Sequence, residues 1–342
     1  MAFASTKENG IDTLIYISKL VDSSTGAQAN GDMFKLPATL VTPATSDGKT
    51  MYWGIESISS DDHYMILTKN QSASHQPLYI VNITDTAPSE PKYIALPGAI
   101  DGEDTANTYA IFSKDPSQPH LVYVITDAYS EFSSVVTYDA HSRSVTHITT
   151  PDPSLNAIRP IPWDISNIQV SEEAVMFRAN IDGWDELFVH PLRGMHKGEI
   201  VQIRFNQEVG VISYITDTQN RTPWRLVMSV ASSKQESSLF FLDLEDALTK
   251  VQVEEGNPFV CVSLKPYQQA QAILPSYRTL PPQLVKYKSF DGLEIPVMYY
   301  HPADRQQAVP LVISIHGGPA SQSTAVSSLS ALLLLFSLHI FS

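Results

Sequence analysis

Residues 120–149 read HLVYVITDAYSEFSSVVTYDAHSRSVTHIT. This stretch holds three short runs of β-branched and aromatic residues, and polar turn residues separate them. Runs of this kind are typical of β-strands, and no long apolar pattern with helical spacing crosses them. The stretch therefore predicts three strands joined by turns.

The same pattern recurs on both sides of this stretch. Clear copies cover residues 57–96, 109–149, 167–203 and 211–253, and a fainter copy lies at residues 11–41. The period of roughly 45 residues suits one four-stranded blade of a β-propeller, in which stacking buries both faces of each sheet. The sequence thus predicts a mainly β protein with an incomplete propeller of about five blades. A β-sandwich is the alternative, and residues 244–251 offer one or two helical turns at most.

Composition limits the partners of this chain. Its 342 residues are 43% hydrophobic and 17% charged, with a net charge of −14. Such an acidic surface repels phosphate backbones and anionic membranes, so we expect no nucleic-acid partner and no membrane binding. The single cysteine, Cys261, and the absence of zinc-type Cys/His spacing predict neither a disulfide nor a metal or other cofactor. The first ten residues contain no apolar run, which favours a cytoplasmic protein.

The pattern changes after residue 265, where prolines punctuate a predicted linker. Asp291-Gly292 then stands between two alternating runs, which predicts a hairpin with a tight primed turn. Residues 309–315 form a continuous apolar run that predicts a strand buried on both faces. The expected organisation is propeller blades at 1–265, a linker at 266–283, the start of an α/β-hydrolase domain at 284–322 and an apolar tail at 323–342.

The predicted buried strand leads directly into His316-Gly317-Gly318-Pro319. A strand that ends in His-Gly-Gly has the form of an α/β-hydrolase oxyanion loop. Glycines let the backbone N–H groups approach the oxygen that becomes negative during acyl transfer. Alone, the motif is equally consistent with a glycine-rich turn.

With the propeller repeat, the linker and the hairpin before it, this motif resembles the prolyl oligopeptidase family of serine peptidases. The similarity is to the acylaminoacyl-peptidase and dipeptidyl-peptidase-like branch, which has HGGP at this position. The resemblance implies a propeller that caps an α/β-hydrolase domain and restricts cleavage to short peptides. It also implies that Gly318, with Gly317 as the second candidate, supplies oxyanion N–H groups. His316 and Pro319 would position the loop, and His316 would not be the catalytic base.

The nucleophile motif G-x-S-x-G is missing from the sequence. The two glycine pairs with this spacing enclose Ile100 and His196 instead of serine, and no Asp or Glu follows Gly318. We therefore expect no catalytic residues in this chain, which would be a truncated peptidase that is inactive by itself. The alternative is a free-standing propeller that serves as a binding or regulatory module.

The apolar tail departs from the family pattern, and three interpretations stay open. It can be translated non-coding sequence or a frameshift, a carboxyl-terminal membrane anchor, or a buried helix.

The remaining polar and aromatic groups are assigned structural roles. The acidic groups are interpreted as solvated turns, with Asp182-Gly183 as a hairpin turn. The tryptophans are interpreted as blade core, and the two histidines as not binding metal. The acidic groups are Asp61-Asp62, Glu172-Glu173, Asp182/Asp185/Glu186 and Glu254-Glu255. The tryptophans are Trp53, Trp163, Trp184 and Trp224, and the histidines are His190 and His196.

Overall fold

The computed structural model describes residues 2–6, 10–18, 38–42, 52–84, 89–100, 105–217, 224–233, 237–267, 281–300, 313–317 and 322–326. These residues are mainly β, as predicted, and form several sheets of which none is closed. Their one α-helix, α1 (Leu244–Leu248), lies where the sequence allowed a helical turn or two. The chain divides into two compact units, Met1–Glu173 and Ala174–Ser342.

The first unit contains three antiparallel sheets whose strands follow one another in chain order. The first sheet is β1 (Ala2–Ser5), β2 (Leu14–Ser18) and β3 (Ala38–Leu40). The second is β4 (Tyr52–Ile58), β5 (Tyr64–Asn70), β6 (Leu78–Asn82) and β7 (Lys92–Tyr93). The third is β8 (Asn107–Phe112), β9 (Leu121–Thr126), β10 (Ser134–Asp139) and β11 (Val145–His147), and β12 (Ile165–Val170) contacts β8 and β9.

Strand β5 shows why the strands of these sheets have continuous apolar sequences. Met65 and Leu67 pack in a cluster with Trp53, whereas Ile66, on the opposite face of the strand, packs in a cluster with Phe112. Both faces of this sheet are therefore buried by neighbouring sheets, as blade stacking requires. Each fully buried aliphatic side chain stabilises the fold by about 1.5–3 kcal/mol.

The second unit begins with β13 (Ala174–Ile181), β14 (Trp184–Pro191) and β15 (Val201–Phe205). A second sheet contains β16 (Val211–Asp217), β17 (Arg225–Ala231), β18 (Ser238–Asp243) and the short β21 (Lys265–Pro266). The core lies between these two sheets. Met176 and Leu187 from the first pack with Leu226, Met228 and Phe240 from the second.

The last repeat ends differently from its prediction. The sequence placed residues 249–253 as the final strand of the blade that begins at Val211. Instead, β19 (Gln252–Glu254) and β20 (Asn257–Val262) form a hairpin on the preceding sheet, where β20 pairs in parallel with β15. Strand β21 takes the fourth position of the blade. Neighbouring edges compete for such short segments, and local sequence does not decide which edge a segment joins.

A register shift recurs in the first strand of three sheets. The residues that flank it are Ile55/Ser57 in β4, Asn107/Tyr109 in β8 and Ile212/Tyr214 in β16. Such a bulge leaves one residue out of the ladder and re-aims its side chain. In β4 this residue is Glu56, whose carboxylate accepts a hydrogen bond from Thr68 Oγ1 over 2.8 Å.

Replacing Glu56 by glutamine is expected to stabilise the chain at neutral pH. Burial raises the pKa of Glu56, and the hydrogen bonds from Thr68 and the Ala110 backbone oppose this effect only in part. The folded state therefore binds the carboxyl proton of Glu56 more firmly than the unfolded state does. The stability that this protonated carboxyl contributes is lost as pH rises from about 4.3 through the raised pKa. Glutamine keeps the acceptor and carries no charge.

The measurement is the free energy of unfolding in urea between pH 4 and pH 8. The free energy of unfolding of Glu56→Gln should exceed that of the parent by an amount that grows with pH. Glu131→Gln, at an exposed position, serves as the matched control. Equal profiles for the two variants would contradict the assignment.

The predicted hairpin after the linker is present as β22 (Gln283–Lys288) and β23 (Glu294–Tyr299). Ser289 and Leu293 extend the ladder by one pair beyond these strands, so the connection is the three-residue loop 290–292 and not a two-residue primed turn. The Ser289 N–H donates to the Leu293 carbonyl over 2.8 Å, and within the loop Gly292 (φ 87°) has positive φ whereas Asp291 does not. A type I turn followed by a left-handed glycine explains this geometry.

Candidate functional site

The described residues 313–317, which include His316 and Gly317 of the predicted oxyanion motif, are named here the glycine loop. Ile313 and Ile315 are 75% and 85% exposed, and neither belongs to a strand. This differs from the predicted strand buried on both faces. No described strand pairs with these residues, and an apolar run becomes a buried strand only when neighbouring strands cover it.

His316 and Gly317 are exposed at the end of the glycine loop. Apart from its chain neighbours, no described atom lies within 4 Å of the position that a Cβ would take on Gly317. No residue that the structure describes therefore covers Gly317 or seals it inside a blade. Gly318 and Pro319 lie outside the described residues, and so does most of the apolar tail.

Residues 322–326, named here the strap, follow the glycine loop and contact the hairpin formed by β13 and β14. The Ala325 N–H donates to the Gly183 carbonyl over 3.0 Å, and Gln322 Nε2 donates to Asn180 Oδ1 over 2.8 Å. Ala325 is completely buried. Gln322, the last residue of the predicted hydrolase start, and the first residues of the predicted apolar tail are thus packed on a blade of their own unit.

The turn that receives the strap was recognised from the sequence as Asp182-Gly183. Both residues have positive φ, 52° and 95°, and Ile181 pairs with Trp184, so this is a two-residue primed turn as predicted. The Gly183 N–H donates to Asn180 Oδ1 over 3.1 Å. The contact with the strap had no sequence signal, because about 140 residues separate the partners.

A second contact joins the end of β23 to the same place. The hydroxyl of Tyr300 donates to the Val326 carbonyl over 3.1 Å, and a Cβ on Gly183 would lie only 2.0 Å from Met298 Cε. Burial raises the pKa of Tyr300, and the charge of Glu208 adds to this effect. The Tyr300 hydroxyl therefore stays protonated and able to donate across the neutral range.

One acidic residue interpreted as part of a solvated turn is buried instead. Asp185 is 5% exposed and accepts hydrogen bonds from the Arg178 guanidinium, from Asn180 Nδ2 (3.1 Å) and from the Ile212 N–H (2.8 Å). The interpretation as a solvated turn is therefore wrong for Asp185. Alternation along β14 could have revealed it, because Asp185 shares a face with the buried Leu187 and Val189.

The other acidic groups have structural partners. Asp61 accepts hydrogen bonds from Ser59 Oγ (2.6 Å) and the His63 N–H (3.1 Å), and the Ser59 bond is the main reason that the pKa of Asp61 is lowered. Glu254 pairs with Arg204 over 2.7 Å. These contacts fix turns and strand edges and require no ligand.

The histidines singled out in the sequence lie close together, His190 near the end of β14 and His196 in the loop that follows it. His190 is buried and its Nδ1 donates to the Glu199 carbonyl over 2.8 Å, while His196 Nδ1 lies 2.9 Å from Glu199 Oε2. Burial lowers the pKa of His190, against a smaller opposite effect of its hydrogen bond. Across the described ranges, no three His, Cys, Asp or Glu side chains are grouped so that they could hold a metal ion.

The tryptophans also vary in environment. Trp53 is buried in the blade core, as predicted, and its Nε1 has no partner among the described residues. Trp163, Trp184 and Trp224 are only partly buried, and Trp224 packs against the core of the second unit. Among the described residues, no helix has the length and apolarity of a membrane span.

Comparison with solved structures identifies the class of fold. The chain has the fold of the β-propeller region of prolyl-oligopeptidase-type peptidases, so the resemblance noted in the sequence is confirmed as a likeness in fold. The number of blades stays a prediction. No protein-family model matches the chain, and no curated protein matches it either.

Three solved structures illustrate the likeness. An acylaminoacyl peptidase from Pyrococcus horikoshii is 14% identical with a TM-score of 0.57, and the match covers 94% of this chain and 42% of that one. Prolyl oligopeptidase B from Galerina marginata, bound to a 35mer hydrolysis and macrocyclization substrate, is 12% identical with a TM-score of 0.55, covering 86% and 36%. A puromycin-hydrolyzing peptidase from Mycobacterium tuberculosis is 11% identical with a TM-score of 0.55, covering 88% and 40%. The chain thus spans only 36–42% of the length of these proteins.

Proposed function

We propose that this chain is the propeller and oxyanion-loop part of a serine peptidase of the prolyl oligopeptidase type that cleaves short peptides. The observation that carries the proposal is the order of its parts. A propeller fold is followed by a hairpin and then by His316-Gly317-Gly318, and the match to an acylaminoacyl peptidase covers 94% of the chain. The solved structures of this fold act on a 35mer and on puromycin, which supports peptide-like substrates.

The proposed chemistry of the glycine loop is electrostatic. Attack on a peptide carbonyl places negative charge on its oxygen, and the Gly318 N–H, with that of Gly317, would donate hydrogen bonds to it. One such donor is worth about 3–4 kcal/mol of transition-state stabilisation. His316 and Pro319 would hold the backbone of the loop in place. The openness around Gly317 supports this role because the substrate oxygen needs room to approach.

The chain by itself is proposed to be inactive. A fluorophosphonate probe reacts with activated serines, and the sequence contains no serine within a G-x-S-x-G turn. We expect no labelling of the purified chain and no hydrolysis of chromogenic short peptides. Stoichiometric labelling of a serine would contradict this part of the proposal.

The family assignment has a separate test in the transcript. Sequencing of full-length transcripts and of the genomic reading frame should reveal a continuation into G-x-S-x-G, followed by the acid and then the histidine. If all transcripts end as the printed sequence does, the peptidase proposal fails. A free-standing propeller, acting as a binding or regulatory module, then takes its place.

A further inference from the structure

The strap packs closely on Gly210, a small residue that precedes β16. A Cβ on Gly210 would lie 2.0 Å from the Ala325 carbonyl oxygen, 3.0 Å from the Ala325 carbonyl carbon and 3.1 Å from the Ala231 carbonyl oxygen of the blade. Its φ lies outside the left-handed region, so the backbone conformation does not demand glycine. The strap is therefore the tightest constraint on residue 210, and a methyl group there would displace the strap.

Asn180 links the strap to the buried Asp185 of the second unit. Its Nδ2 donates to the buried Asp185, and its Oδ1 accepts from both the Gly183 N–H and Gln322 Nε2. The amide orientation is consistent with these partners, because its donor group faces a carboxylate and its acceptor faces two donors. The strap therefore binds to a rigid feature of the blade.

The chain is held on both sides of the glycine loop at this one place. Met298 and Tyr300 precede the loop, Gln322 and Ala325 follow it, and the Tyr300 hydroxyl is bonded to Val326. The described segments on either side of residues 301–321 thus meet on the turn between β13 and β14. Closing a loop reduces the conformations available to the residues inside it, which include His316 and Gly317.

We propose that Asn180, Gly183 and Gly210 are positioning residues that hold the glycine loop through the strap. Their catalytic meaning rests on the proposed function, because only a peptidase uses the glycine loop as an oxyanion hole. The anchoring itself does not rest on it. These residues touch no substrate and act only by fixing both ends of the loop.

The test measures a distance across the second unit. The native Cys261 is exposed, and it is the only cysteine of the chain. Ile315→Cys adds a second exposed site within the glycine loop, so nitroxides on both give the distribution of distances between residues 261 and 315 by pulsed electron spin resonance. We expect a narrow distribution for the parent labelled in this way and at least a twofold broader one after Gly210→Ala.

The control variant is Gly194→Ala, which strains a left-handed glycine (φ 81°) where no described atom lies within 4 Å. It lowers stability without touching the strap, and the distribution should keep its parental width. If Gly210→Ala does not fold, Gln322→Ala combined with Tyr300→Phe removes two strap hydrogen bonds and should broaden the distribution in the same direction.

A broad distribution in the parent, or an unchanged width in folded strap variants, overturns the proposal. The readout needs no catalysis, so the two proposals fail separately. A narrow parental distribution without a nucleophile in any transcript would leave the anchoring intact and remove the peptidase function.

Discussion

Replacing Asp185 by alanine is expected to lower the free energy of unfolding of the chain by about 3–5 kcal/mol, because it leaves the mostly buried positive charge of Arg178, whose side chain is 19% exposed, without its partner. Arg178 would lose the carboxylate, and its Nε already has no partner among the described residues. The Ile212 N–H and Asn180 Nδ2 would lose an acceptor at the same time. Urea unfolding followed by far-UV circular dichroism measures the loss.

Two further variants separate the missing partner from a general effect of mutation. Asp246→Ala removes an exposed helical pair with Lys250 (2.6 Å) and should cost about 0.5 kcal/mol or less. The double variant Arg178→Met with Asp185→Leu removes both charges and should be more stable than Asp185→Ala alone. If the double variant were the less stable of the two, the explanation by an unpaired buried charge would be wrong.

Replacing Phe112 by alanine is the second change with a large expected effect, about 3–5 kcal/mol of stability. Phe112 is completely buried at the end of β8, where it packs with Ile66 and Val122. Its removal leaves a cavity between two stacked sheets, and rigid strands collapse into such a space only in part.

Tyr109→Ala is the matched control because Tyr109 lies on the same strand and is 38% exposed. It should lose less than about 1 kcal/mol in the same urea titration, since it opens no buried cavity. A similar loss for both variants would indicate that β8 is not packed between two sheets.

The sequence predicted the parts of the fold that local patterns determine. Apolar runs with polar turns gave the strands, and the left-handed tendency of Asp182-Gly183 gave the turn between β13 and β14. The short helix α1 also lies within the predicted residues. In each case neighbouring residues contain the whole signal.

Other parts depend on partners that are distant in the chain. The choice of sheet for β20 and the contact of Ala325 with Gly210 follow from packing between segments far apart in sequence. The burial of Asp185 needs the arginine of the adjacent strand to make it tolerable. The residues before the glycine motif illustrate the converse, because Ile313 and Ile315 are exposed where no described strand covers them.

The parallel pairing of β15 with β20 sets an order for folding during synthesis. Roughly fifty residues separate the two strands, so the ribosome needs about 3–10 s to deliver β20 after β15 has emerged. Until then β15 has an open edge that could recruit a strand from another nascent chain. Arg204 lies within β15 and later stacks on Phe259 and pairs with Glu254. Before those partners exist, a charged side chain on the open edge disfavours its pairing with a strand of another chain.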